Sequence, residues 1–259
     1  MNRHLYFGLL ALGSALPGCG SGGGSGGDIA PPPPVVNVSP GGFWYGFNSI
    51  GGEVFAIVTE TGRFHFLTVP DFSQGTGTLS VSNSNNLNGT FQLVTQLGYV
   101  FEDGTTLANC TFSGTVAERQ TVNASIECTT TAGLMQQSTA ALDYDVAYDR
   151  DSSLATIAGN YQGFSAVLNV AGDGTIFSQD PVTGCVVNGL VSVLNSNFNA
   201  YDLNFTYDSC TGFEAILNGS NFTGIAALDN SEDPEVLIAT ATGSVGGVLI
   251  SFVEVLDRI

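Results

Sequence analysis

Along most of this chain apolar and polar residues alternate one by one, and a period of two is the signature of strands half buried against a core. Tyr201, Leu203, Phe205 and Tyr207 alternate with Asp202, Asn204, Thr206 and Asp208, and Val248, Ile250 and Phe252 repeat the pattern. Asn88-Gly89, Asp103-Gly104, Asp173-Gly174 and Asn218-Gly219 punctuate the runs with residues that tolerate the positive φ of tight turns. In the second half these signals mark eight short strands in meander order, near 161–170, 174–179, 184–194, 200–208, 213–218, 222–228, 235–242 and 246–255. Eight is a natural number for closing a barrel. One stretch reads as helical, Asp151 to Ala158, where Ser152 or Ser153 can cap a turn carrying Leu154, Ala155 and Ile157.

Three short matches recur in the same order. Gly42-x-x-x-Gly46-Phe47 corresponds to Gly159-x-x-x-Gly163-Phe164, Cys110-x-x-x-Gly114-x-Val116 to Cys185-x-x-x-Gly189-x-Val191, and Ala140-Ala141-Leu142-Asp143 to Ala226-Ala227-Leu228-Asp229. Collinear matches argue for a duplication with halves at 43–148 and 149–259. Extra residues around Asp71 to Ala108 predict an added hairpin or long loop in the first half. The expected fold class is all-β: two related antiparallel meander barrels or sandwiches of about eight strands each.

Each half carries two cysteines, and the duplication favours one disulfide per half, Cys110–Cys128 and Cys185–Cys210. A hairpin turning at Glu118-Arg119-Gln120 sets Val116 against Val122, Gly114 against Ala124, Phe112 against Ile126 and Cys110 against Cys128. Pairing Val191 with Leu203 sets Cys185 against Ser209 instead, so Cys210 needs a bulge or a strand end. Neither pair has the Cys-x-x-Cys spacing or nearby histidines of a metal site.

Before the strands comes a different text. Arg3 and His4 precede an apolar run, Leu5 to Leu16, too short to cross a bilayer as a helix. It ends in Leu16-Pro17-Gly18-Cys19, which resembles the lipobox of bacterial lipoproteins. That resemblance implies a signal peptide over 1–18, Cys19 as a diacylated first residue, and, with Gly20 rather than Asp after it, an outer-membrane destination in the cell envelope. Residues 19–42 then read as a tether, Gly/Ser-rich and flexible before the stiffer run Pro31 to Pro34. Gly23-Gly24-Ser25-Gly26-Gly27 fits the letters of a nucleophile elbow, without the strand before it or the helix after it.

Gly42-Phe43-Trp44 and Gly159-Asn160-Tyr161 resemble the Gly-x-Trp opening of lipocalin-type barrels, where a helical turn enters the first strand. The resemblance implies that an arginine packs over each aromatic, Arg150 in the first half and Arg258 in the second, and it admits a small apolar ligand in a barrel.

Charge excludes several functions. There are 23 acidic residues against five basic ones, none of them lysine, and the formal net charge is −18. Nucleic acid, which must be neutralised by cations, is not an expected partner. Without lysine there is no Schiff base, P-loop or Ser-Lys dyad. His65, the one histidine past the leader, alternates with Phe64 and Phe66 and reads as a strand-surface or capping residue. Asp143 and Asp145 share a strand face, and Glu53 and Glu60 bracket a strand, but such pairs arise by chance in so acidic a chain. The acidic runs Asp143 to Asp151 and Asp229 to Glu235 lack the EF-hand pattern. No catalytic residue, metal or cofactor is assigned. The expectation is a non-catalytic envelope lipoprotein acting as an interaction or structural module on an envelope protein; the alternative is a lipocalin-like carrier, with a carboxylate glycosidase as outsider. Large inward residues such as Phe112, Ile126, Val122 and Val116 would fill a barrel, whereas Gly114, Gly189 and Ala124 would leave room.

Overall fold

A computed structural model describes residues 36–70, 73–95, 99–163, 166–231 and 233–259. The leader, Cys19, most of the tether, Phe164 and Glu232 lie outside the described residues.

Two closed antiparallel barrels of eight strands follow one another, each a simple meander. The first is built from β1 (Gly42–Asn48), β2 (Glu53–Val58), β3 (Arg63–Val69), β4 (Gln74–Ser82), β5 (Asn86–Val94), β6 (Leu107–Ala117), β7 (Thr121–Thr130) and β8 (Met135–Asp145). It closes by β8 on β1, with Tyr45 opposite Asp143. A 3₁₀ turn (Val146–Asp149) and the one-turn α1 (Leu154–Ile157) lead into the second barrel. There Ser153 is the cap, its hydroxyl accepting from the Thr156 N–H at 3.0 Å. The second barrel runs β9 (Gly159–Gln162), β10 (Val167–Val170), β11 (Thr175–Gln179), β12 (Val186–Val193), β13 (Tyr201–Asp208), β14 (Asn221–Asp229), β15 (Val236–Val245) and β16 (Val248–Arg258).

Eight strands are found in the second half, but not the eight expected. The stretch 161–170 is two strands, β9 and β10. Tyr161 faces the core on an odd position and Val170 on an even one, so a single strand cannot bury both. The stretch 213–218 is a 3₁₀ turn (Gly212–Leu217) that buries only Leu217 and leaves Phe213 and Ile216 exposed. Asn88-Gly89 is no turn either. It lies within β5, and a side chain at Gly89 would strike the Phe112 ring at 2.5 Å. The turn it was expected to make is taken by Asn83 and Ser84, both at positive φ. The tether also ends earlier than its composition suggests: the Val38 N–H bonds to the Ser84 carbonyl at 2.9 Å, so the chain already lies on the first barrel there.

The disulfides follow the strand registers. Cys110 lies opposite Cys128 in the β6–β7 ladder, together with Phe112–Ile126, Gly114–Ala124 and Val116–Val122, and the two cysteines are bonded. In the second barrel Val191 does face Leu203, and Cys185 and Cys210 bond just beyond the strand ends. Ser209 at φ 59° absorbs the odd residue, while the Asn218 side chain clamps both the N–H and the carbonyl of Cys210. The duplication is therefore one of barrels rather than of strands: Cys110 is on the sixth strand of its barrel, Cys185 precedes the fourth of the other, and Leu142 and Leu228 sit on the eighth and the sixth.

Gly114 and Gly189 leave no room. A side chain at Gly114 would meet the Asn123 carbonyl at 2.0 Å, and one at Gly189 the Asn204 carbonyl at 2.4 Å, so these glycines let neighbouring backbones approach where the sheets coil.

The first barrel has one core cluster and the second has two, and a further apolar cluster joins the barrels. Phe43 and Ile57, on the outside of β1 and β2, pack with Tyr148, Ala200, Ile225 and Ala227, the last two on the outside of β14. Ile57 and Ile225 are fully buried, and each contributes about 2 kcal/mol through the hydrophobic effect. Phe198 stacks on Tyr148 with ring centroids 5.1 Å apart. Asn199, 1% exposed, fastens the joint: its Nδ2 donates to the Ala147 and Leu228 carbonyls at 3.0 and 2.6 Å, and its Oδ1 accepts from the Leu228 N–H at 3.0 Å. Replacing it strands the two buried backbone groups of Leu228 and the part-buried Ala147 carbonyl. Asn199→Ala is expected to lower the unfolding free energy by about 3 kcal/mol in denaturant titration, and a loss under about 1 kcal/mol would show that the clamp does not hold the joint.

Candidate functional site

Four arginines are described, and all four hold the structure. Arg63 on β3 pairs with Asp202 on β13 at 2.5 Å, between the barrels. Arg119, in the β6–β7 turn, pairs with Asp149 and lies 5.1 Å over the Phe198 ring. Arg150 and Arg258 converge on one carboxylate, Glu235. Arg258 also lies 5.5 Å over the Tyr161 ring and donates to the carbonyls of Thr156 and Ala158, tying α1 to the last strand. This end of the second barrel thus has the aromatic and arginine arrangement expected of it. The first barrel does not: Trp44 packs edge-on to Tyr144 and donates to the Pro40 carbonyl at 3.1 Å, while Arg150 belongs to Glu235.

The lumens differ in what fills them. In the first barrel Phe64, Phe66, Phe91 and Phe112 interlock edge to face, with Phe66 and Phe91 centroids 5.2 Å apart, and leave about 200 Å³. In the second, the rings of Phe205, Tyr207, Phe222 and Phe252 crowd towards the disulfide end. Tyr161 and Tyr201 close the α1 end, and the Tyr161 hydroxyl donates to the Ile157 carbonyl at 2.6 Å. Between them lies a cavity of about 330 Å³, walled by Leu168, Val170, Ile176, Val191, Leu203, Leu237 and Leu256. That size enters the range of small-molecule sites.

β16 pairs with β9 only through Asp257–Gln162 and Arg258–Tyr161, and among the described residues the rest of β16 has no partner on that side. Beside this short seam Glu254 lines the cavity, on the same parity as Ile250, Phe252 and Leu256. Glu254 is itself exposed, and partial desolvation beside these walls pushes its carboxyl above the ordinary carboxylate range. Burial, with the charge of Glu254 second, pushes the Tyr207 phenol up to about 12. Ser178, Asp180, Thr183 and Glu214 add to the polar part of the lining, and among the described residues no arginine or histidine takes part in it.

The carboxylates singled out in the sequence do not assemble. Asp143 and Asp145 are exposed on the outside of β8, where Asp145 caps the 3₁₀ turn by accepting from the Ala147 N–H at 2.9 Å. Glu53 and Glu60 stand at opposite ends of β2, ~20 Å apart at the strand rise, far beyond the spacing of a glycosidase pair. Asp149 and Glu235, from the two acidic runs, are engaged by arginines. Glu254 was missed because it reads as one acid among many; the signal was its place on the apolar parity of a terminal strand.

The outside of β4 to β8 forms a second feature. Thr78, Thr90, Thr111, Glu127 and Gln137 make one cross-strand row, and Ser80, Asn88, Ser113, Ser125 and Thr139 the next. These rows line a groove of about 940 Å³ with one charge in it. Beside it on β1, Tyr45 and Phe47 expose their rings with centroids 6.1 Å apart.

No family model matches this sequence, and no curated protein matches it closely enough to count as a relative.

His65 is not on a free surface. It is 5% exposed on the outward side of β3, a strand that lies against β14 of the other barrel, and its Nε2 is 3.3 Å from the Thr76 hydroxyl. Burial, helped by the Arg63 charge, lowers its pKa from 6.5 to about 4. The unfolded chain binds this proton below pH 6.5 and the folded one only near pH 4, so the contribution is complete above 6.5 and is lost as pH falls towards 4. The loss is on the order of 3 kcal/mol. The difference in unfolding free energy between the wild type and His65→Gln is expected to change across that window; a constant difference would place His65 in water.

Proposed function

We propose that this chain is a non-catalytic lipoprotein of the bacterial envelope, tethered through Cys19, whose second barrel carries a small apolar ligand. The observation that supports the carrier reading is the second lumen: about 330 Å³, with Leu168, Val170, Ile176, Val191, Leu203, Leu237 and Leu256 on its walls. The first barrel, whose phenylalanines narrow its lumen to about 200 Å³, serves as a scaffold to which the carrier is locked. The 3₁₀ turn that contributes Leu217 and Glu214 to the lining also exposes Phe213 and Ile216, apolar side chains suited to receiving such a ligand. The lipid anchor rests on the lipobox resemblance, and the signal peptide and outer-membrane location go with it.

A second reading, the interaction module, is favoured by the hydroxyl- and amide-rich rows outside β4 to β8 with Tyr45 and Phe47 beside them. In a chain with 23 acids, so large a face with one charge suits a neutral partner in the envelope.

Native mass spectrometry of protein purified from its own envelope separates the readings. A stoichiometric apolar mass beyond the anchor is expected, and Ala239→Phe, which fills the lumen wall opposite Glu254, is expected to abolish it while leaving the fold intact. A bare acylated chain or a bound protein would overturn the carrier in favour of the module. Cys19→Ser is expected to move the protein out of the membrane fraction, and unchanged retention would overturn the anchor.

A further inference from the structure

The outer face of β4 to β8 carries its side chains in register. Beside the two rows that line its groove comes a third, Ser82, Asn86, Thr115, Asn123, Ala141 and Phe47, each directly opposite the next. All six are exposed, as are the residues of the other two rows. Glu127 is the single charged residue in these three rows, in a chain whose formal net charge is −18. Charge returns in the row that follows, where Asp143 stands opposite Tyr45. Neutrality from β4 to β8 is what an uncharged partner requires, because a carboxylate covered by such a partner would lose its water without compensation.

The chemistry of the rows narrows the partner. Ser, Thr, Asn and Gln side chains both donate and accept, as does every hydroxyl of a sugar. Among the described residues the hydroxyls of Thr78, Thr90, Thr111, Ser113 and Ser125 have no hydrogen-bond partner within the protein. Neighbouring strands lie about 4.8 Å apart, close to the advance per ring of an extended β-linked pyranose chain, so that successive strands can meet successive rings. At the end of the third row the Phe47 ring, 56% exposed, stands beside that of Tyr45, and the C–H face of a pyranose packs on the electron-rich face of such rings. A protein partner calls for the opposite layout, an apolar centre inside a polar rim. Here the centre is polar and the rings stand at the edge. An anionic polymer would be repelled by the field of so acidic a chain.

We infer that this face binds a neutral polysaccharide chain of the envelope, laid along the groove outside β4 to β8 with its hydroxyls on the Ser, Thr and Asn rows and a ring stacked at Phe47 and Tyr45. This rests on the interaction-module reading and names its partner; it is independent of what the second lumen holds. The groove, about 940 Å³, has room for several sugar rings, and water fills the gaps between hydroxyls that do not meet directly.

Affinity electrophoresis of the full chain tests this, in native gels cast with one of three polysaccharides. Two are extracted from the protein's own envelope and parted on an anion exchanger into a neutral and an acidic fraction; the third is dextran, neutral and foreign. The neutral envelope fraction is expected to retard the chain, and the acidic fraction and dextran to leave it at its free mobility. Phe47→Ala is expected to weaken the retardation about tenfold, which is what one stacked ring supplies. Ser113→Glu, which sets a second carboxylate in the middle of the groove, is expected to weaken it by at least about tenfold, while Ser113→Gln, of the same size without the charge, keeps it. Retardation by the acidic fraction as strong as by the neutral one, or equal behaviour of Ser113→Glu and Ser113→Gln, would overturn selection by neutrality. Equal retardation by dextran would overturn the envelope chain as the partner. Retardation by none of the three would overturn the polysaccharide; the interaction module then stands if native mass spectrometry finds a bound protein that Ser113→Glu releases, and falls if it does not.

Discussion

The structure depends on strands that are buried on both faces. An isolated eight-stranded barrel covers only its inner face, and its outer face belongs to water. Here the outer faces of β1–β3 and of β14–β15 cover each other instead, with Ile57 and Ile225 completely enclosed and Phe43 and Ala227 beside them. Around this apolar patch the polar fastenings are arranged: the Asn199 clamp, the Arg63–Asp202 pair, Arg119 on Phe198, and the Ser251 hydroxyl donating to the Gln74 side chain at 2.5 Å. His65 is buried as a consequence of the same contact. Two barrels that could have swung on a connector are thereby made one body.

Scarcity of cations shapes the rest. A chain with so few basic residues and so many acids must place each guanidinium where it contributes most, and the described arginines sit either between the barrels or at the capped end of the second one. Exposed pairs of this kind contribute little individually; Glu235 is the exception, because it is partly buried and shared by two arginines. None is left for the lumen. The second lumen keeps about 330 Å³, whereas four phenylalanines narrow the first to about 200 Å³.

The two barrels illustrate how one topology is turned to different ends by side-chain volume. Both are eight-stranded meanders with a disulfide bridging adjacent strands near one end. In the first, four phenylalanines meet near the middle; in the second, the rings are pushed towards the ends and aliphatic residues line the middle. The second barrel's closing seam is also short, since β9 has four residues while β16 has 11.

Much of this was legible in the sequence. The period of two determined the strand class, the spacing around Glu118-Arg119-Gln120 determined the β6–β7 register and the Cys110–Cys128 bond, and the pair Ser152-Ser153 announced α1, because each is a local matter of pleat, turn and cap. The runs Val54 to Val58 and Ile225 to Leu228 are apolar on both parities, which is the local trace of a doubly buried strand, but a trace of burial does not name the partner. Which outer face meets which, the burial of His65, the split of 161–170 and the 3₁₀ turn at 212–217 were decided by tertiary structure. So was the site. Parity places a side chain on the inner face of a barrel, but how much room that inside keeps depends on side chains brought together from strands far apart in the chain. Burial and electrostatic compensation are properties of that assembly, and no stretch of sequence carries them alone.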